Sequence, residues 1–253
     1  MTEPTRFEID GARHYTTDIP GKAYPSVTTI LGKTASEHAK KMLNNWNLKN
    51  PGGKEKAAAR GTAIHQACED YIRGLPISLP DEYLPFWRGL SQHLDKYDYF
   101  VWSEKPLRPE WNFCTGKDGI SRVWSHKYHF CGCPDLVGVR NGVVILADFK
   151  TSNQPYCRYF PTKKDRSNFT GWSKLNKCGT QLGAYALAVQ ETLGLEVHCA
   201  QILVSTQEID QSFILHGDEL SRFQTKWLQK VRRYEELKEL EHLEQLEKED
   251  AAS

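Results

Sequence analysis

Two short runs hold the residues best suited to chemistry: Cys133-Pro134-Asp135-Leu136-Val137-Gly138 and Ala147-Asp148-Phe149-Lys150. Twelve residues separate Asp135 from Asp148, and Asn141-Gly142 lies among them. That dipeptide favours a two-residue hairpin turn, because both positions tolerate positive φ. Such a turn folds the chain back and brings Asp135 beside the end of the second strand. Carboxylates on adjacent strands can share a divalent cation, and oxygen ligands suit Mg²⁺ or Mn²⁺. Asp148 and Lys150 are two apart, so on a strand they share a face. A lysine there can orient a water, help to deprotonate it, or stabilise charge on a phosphate. Asp-x-Lys alone is commonplace on surface hairpins. Here it ends an apolar run, Val143-Val144-Ile145-Leu146-Ala147, which predicts a buried strand.

The elements that position these residues follow from turn chemistry and periodicity. Strands are predicted at 99–106, 128–139 and 142–149. Residues 6–9 and 12–17 predict a small hairpin about Asp10-Gly11. Ser26 is a candidate helix cap in Pro25-Ser26-Val27-Thr28. Gly52-Gly53 marks a break, and helices are predicted at 56–71 and 84–97. A helix at 177–193, a strand at 198–206 and a long helix at 218–248 complete the chain. Helices, then a strand meander, then a helix and a further strand predict a mixed α/β fold. Residues 1–234 read as a single domain with a basic-aromatic insertion at 153–178, and 235–253 as an acidic helical tail.

The 253 residues carry a net charge of only +1, which by itself discounts a nucleic-acid partner. The distribution reverses that reading. Residues 235–250 hold eight acids and two lysines, leaving 31 basic against 24 acidic residues and about +7 elsewhere. The tail is either a solvated helix extension or a partner-binding helix presenting Leu237, Leu240, Leu243 and Leu246. No apolar run reaches the ~18 residues of a membrane span, and no basic-then-apolar leader opens the chain. The seven cysteines are scattered and read as free thiols in a reducing compartment. Cys131 and Cys133 are expected on the same face of one strand.

Pro134-Asp135, twelve residues, then Asp148-Phe149-Lys150 resembles the PD-(D/E)xK nuclease motif. Gly61-Thr62-Ala63-Ile64-His65 is similar to the upstream Gly-x-x-x-His motif of its RecB-like branch, and Gln181-Leu182-Gly183-Ala184-Tyr185 to the downstream Gln-x-x-x-Tyr motif. The order along the chain is the family's, and the likeness covers roughly 24–234. It resembles most the mitochondrial genome maintenance exonuclease type and its phage relatives. The resemblance implies a restriction-endonuclease-like α/β core, with a central mixed sheet flanked by helices. It implies Asp135, Asp148 and Lys150 as catalytic residues, with Gln181 and Tyr185 positioning the lysine or the DNA. It implies His65, Asp135, Asp148 and the Phe149 carbonyl as metal ligands. A further glutamate ligand falls on Glu104 or on Glu110, with Glu104 the better fit. No cysteine precedes His65, and only Cys199 follows Tyr185, which disfavours the iron–sulfur members of the branch.

Beyond the catalytic strand, Arg158, Lys163, Lys164, Arg166, Lys174 and Lys177 interleave with Tyr156, Tyr159, Phe160, Phe169 and Trp172. Basic groups track phosphates and aromatic faces stack on unpaired bases. The segment is either a solvated loop or a DNA-gripping flap, and its place after Lys150 favours the flap. Lys54, Lys56 and Arg60 add phosphate contacts or face solvent. The expected activity is a metal-dependent DNA exonuclease preferring single strands or free ends, in DNA replication, recombination or repair. The alternatives are an endonuclease or flap nuclease of the same fold, a nucleic-acid-binding module without catalysis, and a metal-binding or structural α/β protein. No phosphate-binding loop of the Gly-x-x-x-x-Gly-Lys-Ser/Thr type is present, so any helicase would be a separate partner. The cytoplasm of a bacterium or phage-infected cell is the expected location.

Overall fold

The computed structural model describes residues 4–160 and 169–251. Lys163, Lys164 and Arg166 lie outside the described residues. The fold is mixed α/β, with a five-stranded sheet flanked by helices. It opens with a small antiparallel sheet of β1 (Arg6–Ile9), β2 (Ala12–Thr16) and β3 (Ala23–Pro25). Helices α1 (Val27–Lys33), α2 (Glu37–Lys49), α3 (Gly53–Ile72) and α4 (Leu84–Leu94) follow. Ser26 caps α1 as expected, its hydroxyl accepting from the Thr29 N–H at 3.0 Å.

The central sheet runs in the order β10-β9-β8-β7-β4. It comprises β4 (Tyr99–Trp102), β7 (Leu136–Arg140), β8 (Val143–Thr151), β9 (Cys199–Ser205) and β10 (Asp210–His216). Only β8 and β9 pair in parallel, joined by α5 (Phe169–Leu193). The two-residue turn between β7 and β8 sits where the sequence put it, with Asn141 at φ 50° and Gly142 at φ 73°. A short ladder of β5 (Val123–Ser125) and β6 (Phe130–Gly132) packs beside α5. The chain ends in α6 (Gly217–Ala251).

The two faces of the sheet bury different helices. Val137, Leu146, Ala200, Ile202 and Val204 pack with Leu182 and Val189 of α5 and Phe223 and Trp227 of α6. Leu136, Ile145, Ala147, Phe149 and Leu203 pack with Ile64 and Cys68 of α3 and Phe86, Leu90 and Leu94 of α4. Strand β8 is therefore covered on both faces, which is why its sequence is a run of apolar residues rather than an alternation.

Several expected boundaries move. The strand predicted at 128–139 is two strands, β6 and β7, interrupted at Cys133-Pro134-Asp135. Proline has no N–H to give a ladder, so pairing stops there. Cys133 consequently lies just past the strand that holds Cys131. The strand predicted at 99–106 ends at Trp102, beyond an irregularity in its pairing with β7. The helix predicted from 177 is already formed at Phe169, the first described residue after 160. Phe169, Trp172, Lys174 and Lys177 are thus helical, and the basic-aromatic segment is not loop throughout. Leu175, Cys178, Leu182 and Val189 recur at helical spacing along the buried side of α5. Helix α2 and strands β3, β5 and β10 were not anticipated. Among the described residues, no helix is long and apolar enough to cross a membrane.

Candidate active site

The β7–β8 register pairs Leu136 with Ala147, so Asp135 stands one step beyond the ladder, beside Asp148. Freed from strand pairing by Pro134, Asp135 folds onto the neighbouring backbone. Its Oδ2 accepts the Phe149 N–H at 2.8 Å. The next group along, the Phe149 carbonyl, is the focus of the site. His65 Nε2 lies 3.0 Å from it and Lys150 Nζ donates to it at 3.3 Å. His65 comes from α3 on one face of the sheet, and its other nitrogen, Nδ1, lies 3.6 Å from Asp135 and 3.8 Å from Glu104.

Both ring nitrogens of His65 therefore face acceptors. Burial favours the neutral ring, but the charges of Asp135 and Glu104 outweigh it and raise the pKa from 6.5 to about 9. Glu104 is correspondingly lowered, first by its interaction with His65. Glu104 reaches His65, while the exposed Glu110 lies 3.7 Å from Arg108.

Glu104 is held in place by a residue that sequence reasoning missed. Glu69 of α3 is buried and accepts the Glu104 N–H at 3.2 Å through Oε2. Its Oε1 pairs with Arg73. Glu69 lies one helical turn beyond His65, so both reach the same edge of the sheet. That spacing was the only available sequence signal.

Asp148 is fully buried, and its Oδ2 makes an ion contact with Lys150. No hydrogen bond of acceptable geometry reaches either Asp148 oxygen among the described residues. The ion contact and the missing hydrogen bonds are compatible, because a close charge need not lie along a hydrogen-bond direction. Burial pushes Asp148 up to about 6, against the pull of Lys150, with Asp135 adding to the rise. Desolvation works to neutralise Lys150 too, but Asp148, Cys178 and Asp135 hold it above the ordinary lysine range. An ion pair must favour both charged forms; burial outweighs that attraction only at the carboxyl. Lys150 is therefore a cation at neutral pH.

On the α5 side, Gln181 donates to the Tyr185 hydroxyl at 3.1 Å. Tyr185 is buried, and burial followed by the charges of Asp135 and Asp148 holds its hydroxyl protonated. Among the described residues, no hydrogen bond links Gln181 or Tyr185 to Lys150. Gly132, at the end of β6, is what lets the ring approach. A Cβ there would overlap the Tyr185 ring.

The donor set suits a hard divalent cation: three carboxylates, a backbone carbonyl and an imidazole. The unbonded buried oxygens of Asp148 are the observation that supports the fit, since such atoms ordinarily have a partner. No three His, Cys, Asp or Glu side chains among the described residues are closed up to metal-holding spacing. Asp148 is instead engaged with Lys150, and the shared ligand would be the Phe149 carbonyl.

The expected nucleic-acid surface is only partly open. Arg158 is occupied, donating to Glu219 at 3.1 Å and to the Ile214 carbonyl at 2.8 Å. Tyr156 is buried in the core. Phe160, Phe169 and Trp172 form an aromatic cluster, with Phe160 4.7 Å from Trp172 and 6.3 Å from Phe169. Tyr159, Phe160 and Phe169 are exposed, as are Lys174 and Lys177. Compared with protein-family models and with curated proteins, the chain matches none.

Proposed function

We propose that this protein is a divalent-metal-dependent deoxyribonuclease with a restriction-endonuclease-like core, acting as an exonuclease on single-stranded DNA or free ends. The observation that carries the reading is the convergence of His65, Glu104, Asp135, Asp148 and Lys150 about the Phe149 carbonyl. Residues from α3, the segment after β4, and the β7–β8 hairpin meet there, although 85 positions separate the first from the last. His65, Glu104, Asp135, Asp148 and the Phe149 carbonyl would hold Mg²⁺ or Mn²⁺. When bound, the cation supplies Lewis acidity at a phosphoryl oxygen and lowers the pKa of water.

The chain's own groups then have distinct parts. Lys150, held protonated by Asp148, donates to the attacking water or to a phosphate oxygen rather than serving as the base. Asp135 spends one oxygen on the Phe149 N–H and keeps the other towards His65. That fixes the carboxylate and the Phe149 carbonyl as one unit. Tyr185 and Gln181 form a hydrogen-bonded wall on the α5 side. The exposed aromatic cluster and lysines of α5 offer stacking faces and phosphate contacts to a single strand.

The test uses end-labelled single-stranded and duplex DNA with Mg²⁺, Mn²⁺ or EDTA, beside a Lys150→Ala variant. Cleavage requires metal and falls about 10²-fold or more in the variant, the scale set by loss of one transition-state donor. Full activity in Lys150→Ala, or no metal-dependent cleavage, removes the reading. DNA binding without cleavage would favour the non-catalytic binding module instead.

A further inference from the structure

Two cations from opposite faces of the sheet meet just past the end of β8. Arg60 lies on α3 and donates from Nη1 to Asn153 Oδ1 at 2.7 Å. Lys174 lies on α5 and donates from Nζ to Ser152 Oγ at 3.2 Å. Ser152 and Asn153 are the second and third residues after Lys150. Neither cation makes an ion pair with a carboxylate among the described residues. The other polar atom of the Arg60 fork that is buried, Nε, has no hydrogen-bond partner there either. The guanidinium carbon lies over the Phe86 ring, 4.5 Å from its centroid. The Lys174 ammonium stands 5.8 Å from the Tyr156 ring. Each cation is thus positioned by neutral neighbours and left electrostatically uncompensated.

Burial works against both charges. Desolvation lowers the Arg60 pKa. Desolvation also lowers that of Lys174, and the Arg60 charge adds to the shift. Like charges brought together without a counter-ion cost free energy unless an anion joins them. A guanidinium matches a phosphate as a planar fork and an ammonium as a point charge.

We infer that Arg60 and Lys174 form a clamp for one phosphate of the substrate strand, the one neighbouring the phosphate presented to Lys150. The inference rests on the nuclease reading for the identity of the strand, but not for its binding. Two residues of extended chain separate Lys150 from Ser152, a span of about 7 Å. That matches the repeat of an extended nucleic-acid backbone more nearly than it matches a second contact to the same phosphate. The clamp therefore fixes the register of the strand, so that a single internucleotide bond faces the lysine.

Binding measured in EDTA separates this from catalysis. Fluorescence anisotropy with a thymidine oligonucleotide of about ten nucleotides is run on wild type, Lys174→Ala, Arg60→Gln and the double variant. A set of oligonucleotides, each with one neutral methylphosphonate at a different position, is run alongside. Each single variant is expected to weaken binding about 5–20-fold and to reduce the salt slope by about one. The methylphosphonate scan is expected to show one sensitive position in wild type that loses its penalty in both variants. Wild-type affinity and salt slope in Lys174→Ala, whose side chain is exposed and safe to truncate, would overturn the clamp. So would a methylphosphonate penalty equal in wild type and variants. If the oligonucleotide binds as expected but Mn²⁺ brings no cleavage, the nuclease reading fails and the clamp stands.

Discussion

His65 carries a pH dependence that can be worked out in sign. Its folded pKa, about 9, lies above the ordinary 6.5. The metal-free protein therefore gains stability from the imidazolium that is fully present below pH 6.5. The gain is lost as pH rises through about 9. Urea denaturation in EDTA should show wild type exceeding His65→Gln by on the order of 1–3 kcal/mol at pH 6, with the gap closing towards pH 10. A gap that widens with pH contradicts the ion contacts to Asp135 and Glu104. Glu69 belongs to the same scale. Its carboxylate accepts the Glu104 backbone N–H and ties that candidate ligand to Arg73. Glu69→Gln should lower Mn²⁺ affinity about tenfold, as loss of an outer hydrogen bond does in metal sites. Isothermal titration measures it, and rescue of affinity in Glu69→Asp would indicate that charge rather than length matters.

At the scale of elements, the acid–lysine hairpin was legible and its support was not. Asn141-Gly142 announces the turn because few dipeptides adopt positive φ at both positions. The apolar run of β8 announces a strand covered on both faces. By contrast α2 buries no residue, so it leaves no apolar stripe for periodicity to find. The stretch of α5 before 177 was misread because its exposed lysine and aromatics resemble a loop, while Leu175 is the one buried apolar side chain described there that marks a helix. Glu69 reads as an ordinary helix carboxylate until Glu104 arrives beside it from 35 positions away. Gly132 shows the same limit, since its need for no side chain comes from a ring on a different element. Gly132→Ala should cost about 1–3 kcal/mol through overlap with Tyr185. A fall in melting temperature of several degrees checks it, and Tyr185→Leu should recover part of the loss by clearing the hydroxyl-bearing ring.

Over the whole molecule, charge is divided by position. Beyond Leu237 the side chains of α6 that the structure describes are exposed, and an exposed pair, Lys33–Glu241 at 2.9 Å, links this stretch to α1. Ending the chain after Lys238 removes six acids and one lysine. The melting temperature should change by no more than about 2 °C, because exposed pairs contribute little. Single-strand affinity at low salt should rise, because repulsion of the phosphates is relieved. Unchanged affinity would show that the tail is too distant to be felt within the screening length.

The candidate centre has a temporal consequence. Its members span α3 to α5, so no single element contains it. During synthesis, β8 stays without its parallel neighbour β9 until residue 205 has emerged. An arrangement drawn from such dispersed parts is complete only when its own scaffold is, so the candidate centre forms late in synthesis.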